Sequence, residues 1–180
     1  MNTFAFCSQK DEEFDVIIGD LADPVFGGPC YQLYTAEFYE NVVKSKLAPG
    51  GIFVTQSGPA GVLAHTEVFT PINKTLSSVF PKVVPYLQHI PSFADCWGWN
   101  MAFKDGAGDL VPLGAGDLDA RIGDRIEGGP PSLAFMDGTA WTGVTSLNKI
   151  VRESLSAEKH VLTIASPKFI HGQGVKQVGF

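Results

Sequence analysis

Phe14-Asp15-Val16-Ile17-Ile18-Gly19, followed by Asp20-Leu21-Ala22-Asp23-Pro24, is the stretch on which the fold turns. A short, β-branched apolar run with acids on both sides reads as a strand buried on both faces, as in a parallel sheet. Residues 20–29 are rich in Asp, Pro and Gly and read as a loop. Thr35 is placed to cap a helix running to about Leu47, with Phe38, Val42 and Val43 near one face. Pro49-Gly50-Gly51 is a stop signal, and Ile52-Phe53-Val54-Thr55-Gln56 reads as the next strand. Strand, helix and strand in this order form a βαβ unit, which favours a parallel sheet.

Working outward, Val68, Phe69, Ile72, Leu76 and Val79 recur at helical spacing and predict a helix over Thr66–Phe80. Pro71 is compatible with it only in the first turn, where a missing N–H costs little. Lys82–His89 and Cys96–Phe103 predict an antiparallel hairpin at a sheet edge. Lys104–Asp117 is glycine-rich, holds the pentapeptide GAGDL at Gly106–Leu110, and runs into a second copy at Gly114–Leu118. It reads as a surface loop, because a bare GxG outside a strand–turn–helix context is weak evidence for a nucleotide site. Helices are expected over Leu118–Ile126 and Ser146–Leu155. No structure is assigned after Ala165.

Composition narrows the function. An apolar fraction of 44% with 18% charged residues describes a globular chain. The net charge of −6 argues against nucleic acid and favours a cationic ligand. Cys7, Cys30 and Cys96 are scattered, with no CxxC pair and no Cys/His cluster. Neither a disulfide framework nor a zinc site is expected, and a reducing, cytoplasmic setting fits. No stretch reaches the apolar length of a membrane span, and Met1–Lys10 lacks the pattern of a secretory signal.

Asp20 and Asp23 stand three apart at the end of a predicted strand, and in open α/β sheets ligands bind outside the carboxyl ends of strands. Asp and Pro are also ordinary turn residues, so the local sequence leaves both readings open. Gln56 ends the second strand as either a cleft residue or a capping polar group. Tyr34 fits a cleft wall or the core equally. Trp97 and Trp99 fit an apolar channel that favours cations, or core packing.

The stretch Phe14–Gly61 resembles the polyamine aminopropyltransferase (spermidine synthase) family. The likeness lies in a strand ending in D-x-x-D-P, then G-P, a helix with F-Y, a P-G-G turn and a strand ending in Gln. The wording GDLADP, GGPCYQLYT, GIFVTQ and GPAG is closer to thermospermine synthases than to ordinary spermidine synthases. HTEVF and HIPSFADCWGW, within His65–Trp99, continue the likeness, as do Ser146–Lys149 and Phe169–Gly172. It spans most of Phe14–Val175, interrupted by the GAGDL repeats.

The resemblance implies an α/β fold with a Rossmann-like, class I methyltransferase-type sheet, present as its carboxyl-terminal part only, mixed and flanked by helices. It divides the chain into a poorly matching segment 1–13, the catalytic domain 14–175 and a tail 176–180. It implies aminopropyl transfer from decarboxylated S-adenosylmethionine, a co-substrate, to a polyamine, with spermidine to thermospermine the expected conversion. No further cofactor or metal is implied, and a homo-oligomer is compatible. Asp20 matches the proton acceptor and Asp23 the polyamine anchor. Gln56, Phe93 and Trp97 match positions along the polyamine channel. Asp20, Pro29 and Cys30 match the donor side, Pro29 and Cys30 near the adenine. Phe93 departs from the family, where many members carry a tyrosine that touches the substrate amine. That loss is consistent with a longer acceptor held by other contacts.

The family's G-G-G-E/D-G stretch, which holds the donor, is not found ahead of Asp20. The expectations therefore include a catalytically inactive fragment that partners a full-length relative, and spermidine or spermine synthesis as other outcomes. A general methyltransferase ranks last, since it has no use for the D-x-x-D-P pair.

Overall fold

β1 (Phe14–Gly19) pairs in parallel with β2 (Leu47–Pro59), the two joined by a right-sized helical crossover. The structure, a computed structural model, describes residues 12–105 and 114–170. The crossover opens with a 3-10 turn, Cys30–Tyr34. A helical segment, α1, follows: Ala36–Phe38, a π-helical turn Tyr39–Val43, and a last turn Lys44–Lys46. Thr35 caps it, its hydroxyl accepting from the Phe38 amide at 3.3 Å. α2 (Phe69–Val79) leads to β3 (Lys82–Ile90) and β4 (Asp95–Phe103). Pro71 lies in the first turn of α2, as its missing N–H requires.

The sheet order is β1-β2-β4-β3, parallel between β1 and β2 and antiparallel elsewhere. The hairpin expected at a sheet edge is therefore present, with β3 outermost. α3 (Ala115–Arg125), α4 (Gly138–Thr145) and α5 (Lys149–Ala157) complete the described fold. This is the mixed α/β sheet with flanking helices that the sequence implied.

Register sorts the side chains between the two faces. Ile17, Phe53, Ala102 and Val83 lie in one row across the four strands and pack under α1 and α2. Tyr34, Tyr39, Leu47, Ile72 and Leu76 close this core. The other face carries the row Ile18, Val54, Met101 and Val84. Its burial falls steadily toward β1: Val84 is 8% exposed, whereas Ile18 is 74% exposed. α4 lies against β3 on this side, Trp141 meeting Tyr86 with ring centroids 5.7 Å apart.

Four expectations are corrected. β1 is not buried on both faces: among the described residues it is the outer strand of the sheet, and Phe14, Val16 and Ile18 are exposed. An apolar run states what a strand can bury, not what lies beside it. β2 begins at Leu47, before Pro49-Gly50-Gly51, because Leu47 already pairs with Phe14 and the glycines form a bulge. A side chain at Gly51 would meet the carbonyls of Ala48 and Phe14 at 2.8 and 3.1 Å. The second GAGDL copy is not a loop: Gly114 is the N-cap of α3, whose Ala and Leu residues favour helix. The helix expected over Ser146–Leu155 starts later, as α5 over Lys149–Ala157, because the Asn148 side chain caps it by accepting from Val151 N–H at 3.0 Å; α4, which ends at Thr145 just before it, was not anticipated. The first GAGDL copy and the 176–180 tail lie outside the described residues. Residues 166–170 are tied down: the Ile170 amide donates to Pro24 O at 2.9 Å, and Phe169 packs edge-on against Phe26 and Tyr31.

Candidate functional site

The chain leaves β1 at Gly19 and passes Asp20, Leu21, Ala22 and Asp23 over the carboxyl end of the sheet. These four residues line a cavity of 220 Å³ with Gln56, Phe93, Trp97 and Trp99. A second cavity of 500 Å³ opens along the face of β1 and β2, lined by Val16, Ile18, Gly19, Val54 and Tyr86. The two share Asp20, Gln56 and Trp99, so Asp20 lies where they meet. Asp20 is exposed and Asp23 is half-buried.

Gln56 is 7% exposed and uses both ends of its amide. Its Oε1 accepts from the Trp97 indole N–H at 2.9 Å and from the Gly58 amide at 2.9 Å. Two N–H donors aimed at one atom fix that atom as the oxygen. The Nε2 protons then face Leu21 O at 2.7 Å, Asp23 Oδ1 at 3.1 Å and the Tyr34 hydroxyl at 2.6 Å. Two protons serve three acceptors, so one is shared. Tyr34 in turn donates to Ala22 O at 3.2 Å. Burial, reinforced by the Asp23 charge, pushes the Tyr34 hydroxyl well above its ordinary value of 10.0 and keeps it a donor.

The walls are aromatic. Phe93 and Trp97 have centroids 4.5 Å apart, and Tyr86 and Trp99 stack at 5.7 Å with 13° between their planes. Phe93 is 54% exposed, at the mouth. Two acids lining one cavity with aromatic rings suit a cation with an aliphatic body: the rings take the methylenes and attract the charge, and the acids take the ammonium groups.

Asp20, Asp23, Gln56, Phe93 and Trp97 thus come together around one cleft. Pro29 and Cys30 do not line either cavity; they open the 3-10 turn that delivers Tyr34. The sequence left Tyr34 between wall and core. The ring is core, 1% exposed, and the hydroxyl belongs to the loop between the two acids. Trp99, which the sequence left between channel wall and core, lies on the wall beside Gln56; Tyr86, set beside Trp99 in turn, was not anticipated, and β-strand alternation was its one signal. Among the described residues, no group of His, Cys, Asp and Glu could hold a metal ion, and no helix is long and apolar enough to cross a membrane.

Residues 1–110 match the model of the spermine/spermidine synthase domain. The chain is 44% identical, over 97% of its length, to thermospermine synthase ACAULIS5 of Arabidopsis thaliana, of which it covers 54%. It is 34% identical, over 91% of its length, to a polyamine aminopropyltransferase of Aeropyrum pernix, of which it covers 50%. It superposes on the spermidine synthase of Thermotoga maritima with a TM-score of 0.61 at 22% identity, covering 82% of this chain and 45% of that one. On a spermidine synthase crystallised with the transition-state analogue AdoDATO the TM-score is 0.64 at 18% identity, covering 88% and 50%. The chain spans about half the length of the curated relatives it matches.

Proposed function

The chain belongs to the spermine/spermidine synthase family, and from that membership we propose that it works in aminopropyl transfer from decarboxylated S-adenosylmethionine to a polyamine. Spermidine is the favoured acceptor and thermospermine the favoured product. The observation that carries this reading is the Asp20/Asp23 pair on one aromatic-walled cleft with Gln56.

The chemistry follows from protonation. An alkyl amine resembles a lysine side chain, with a pKa of about 10.4, and at neutral pH it is an ammonium without a free lone pair. Asp20 takes a proton from the amine that reacts. The freed lone pair attacks the methylene carbon beside the donor's sulfonium. The C–N bond forms as the C–S bond breaks, and the bonding pair returns to sulfur, which leaves as neutral methylthioadenosine. Asp23, held by Gln56, keeps a second ammonium in place by a charge-assisted hydrogen bond. The family resemblance alone puts Asp20, Pro29 and Cys30 on the donor side, and of these only Asp20 lines the cavities described above. Phe93 offers no hydroxyl to the amine, which supports a longer acceptor gripped at Asp23.

A second reading is favoured by one observation: Val16 and Ile18, 54% and 74% exposed on the outer strand, form an apolar face suited to a partner. In that reading the chain is inactive by itself and associates with a full-length relative. Supplying the chain with decarboxylated S-adenosylmethionine and spermidine separates the two. Release of methylthioadenosine supports the transferase; no release at saturating substrate, with no heat of donor binding in calorimetry, overturns it for this chain.

A further inference from the structure

Leu21 and Ala22 are the only residues between the two carboxylates, and each of their carbonyls is held by a side chain from elsewhere. Leu21 O accepts from Gln56 Nε2 at 2.7 Å, and Ala22 O accepts from the Tyr34 hydroxyl at 3.2 Å. The two tethers are joined, Gln56 Nε2 donating to the Tyr34 oxygen at 2.6 Å. Their roots are rigid: Gln56 stands on β2, and the Tyr34 ring is 1% exposed in the main core. The tethered segment itself has no regular structure. A loop without a backbone ladder keeps one shape only through such pegs.

We propose that Tyr34 is a positioning residue which, with Gln56, fixes the separation of the Asp20 and Asp23 carboxylates and thereby selects the arm length of the polyamine held between them. This rests on the substrate reading above. Neighbouring ammonium groups of a linear polyamine are separated by a propyl or a butyl arm, which differ by one methylene. A pair of acids free to move apart accommodates either arm; a pair pinned by two joined hydrogen bonds prefers one. The walls beside the pair, Phe93, Trp97 and Trp99, are apolar and penalise a misplaced methylene. The buried Tyr34 phenol remains protonated, because burial and the Asp23 charge both oppose its ionisation, so the tether persists across the working pH range.

The test needs no turnover. Diaminopropane and diaminobutane are titrated separately into the full chain by calorimetry, for the wild type and for Tyr34→Phe, with near-UV circular dichroism to show that the variant is folded. The wild type is expected to prefer one diamine by roughly ten-fold, the low end of methylene discrimination in a fitted pocket, and Tyr34→Phe to narrow that ratio by about five-fold. A general loss of folded protein lowers the number of sites but leaves the ratio of affinities unchanged, so the ratio reports positioning. Should Tyr34→Phe fail to fold, Gln56→Asn carries the test, since it shortens the other tether while keeping its amide. An unchanged ratio in the folded variant, or equal binding of both diamines by the wild type, overturns the proposal while leaving the polyamine reading intact. No binding of either diamine by the wild type overturns that reading and the proposal with it.

Discussion

The Trp97 indole N–H donates to Gln56 Oε1 at 2.9 Å, linking β4 to the residue that holds Asp23. One wall of the cleft and one of its carboxylates are therefore coupled through a single amide. Removing that amide costs both. Gln56→Leu leaves the Trp97 indole and the Gly58 amide without their acceptor, at about 1–3 kcal/mol for each donor that stays buried. Urea unfolding should show a lower midpoint with an unchanged slope. A variant as stable as the wild type would mean that water replaces the amide.

Gly98 is required by packing. A Cβ there would lie 2.4 Å from the Phe69 ring and 2.8 Å from Ala60 Cβ. Both neighbours are fully buried, so neither can yield cheaply. Gly98→Ala is expected to destabilise by about 1–3 kcal/mol, the usual cost of overpacking. It should also shift the Trp97 and Trp99 indole resonances on either side of it. Unperturbed spectra would contradict the packing described.

Tyr39 makes the opposite case. Its hydroxyl is buried with no hydrogen-bond partner among the described residues, and burial raises its pKa well above 10.0. An unpaired buried hydroxyl costs about 1–3 kcal/mol, so Tyr39→Phe should leave stability unchanged or increase it. A fall in the thermal midpoint would show that the hydroxyl is satisfied after all.

Glu158 gives the fold a pH dependence. Burial pushes its carboxyl up, but the His160 amide, the Thr70 hydroxyl, Lys168 and the Lys159 amide outweigh it and hold the group below its ordinary value of 4.5. A carboxyl depressed in the folded state stabilises above its unfolded pKa, and the benefit is lost as the pH falls through the folded value. Wild-type stability should therefore drop on acidification below 4.5 more steeply than that of Glu158→Gln. Parallel curves for the two proteins would contradict this. Glu158 ties the end of α5 to the start of α2 through Thr70 at 2.9 Å, so that contact should loosen first.

The sheet and the acid pair were legible because they are local. Phe14–Gly19 is a strand by composition, and a strand ending in carboxylates places them over the sheet. The partners of Gln56 were not legible, since they come from three separate segments: the loop after β1, the 3-10 turn and β4. Tyr34 illustrates the limit: its ring obeys the rule for core residues while its hydroxyl serves the loop, and the sequence shows one residue type for both roles. The exposure of β1 was hidden for another reason. FDVIIG reads alike in a central and an outer strand, and only the neighbours decide. The Pro49-Gly50-Gly51 signal was read as a stop but is a bulge, because Leu47 had already found its partner in Phe14.

In the proposed reaction Asp20 accepts the proton and Asp23 anchors the polyamine. The most direct measurement is the kinetics of methylthioadenosine release from decarboxylated S-adenosylmethionine and spermidine by the wild type, Asp20→Asn and Asp23→Asn. Asp20→Asn is expected to lower kcat by about 10²–10⁴ with spermidine binding retained, the usual worth of a positioned base, while Asp23→Asn chiefly raises KM for spermidine. Equal losses of kcat and binding in both variants, or near-wild-type kcat in Asp20→Asn, would contradict it.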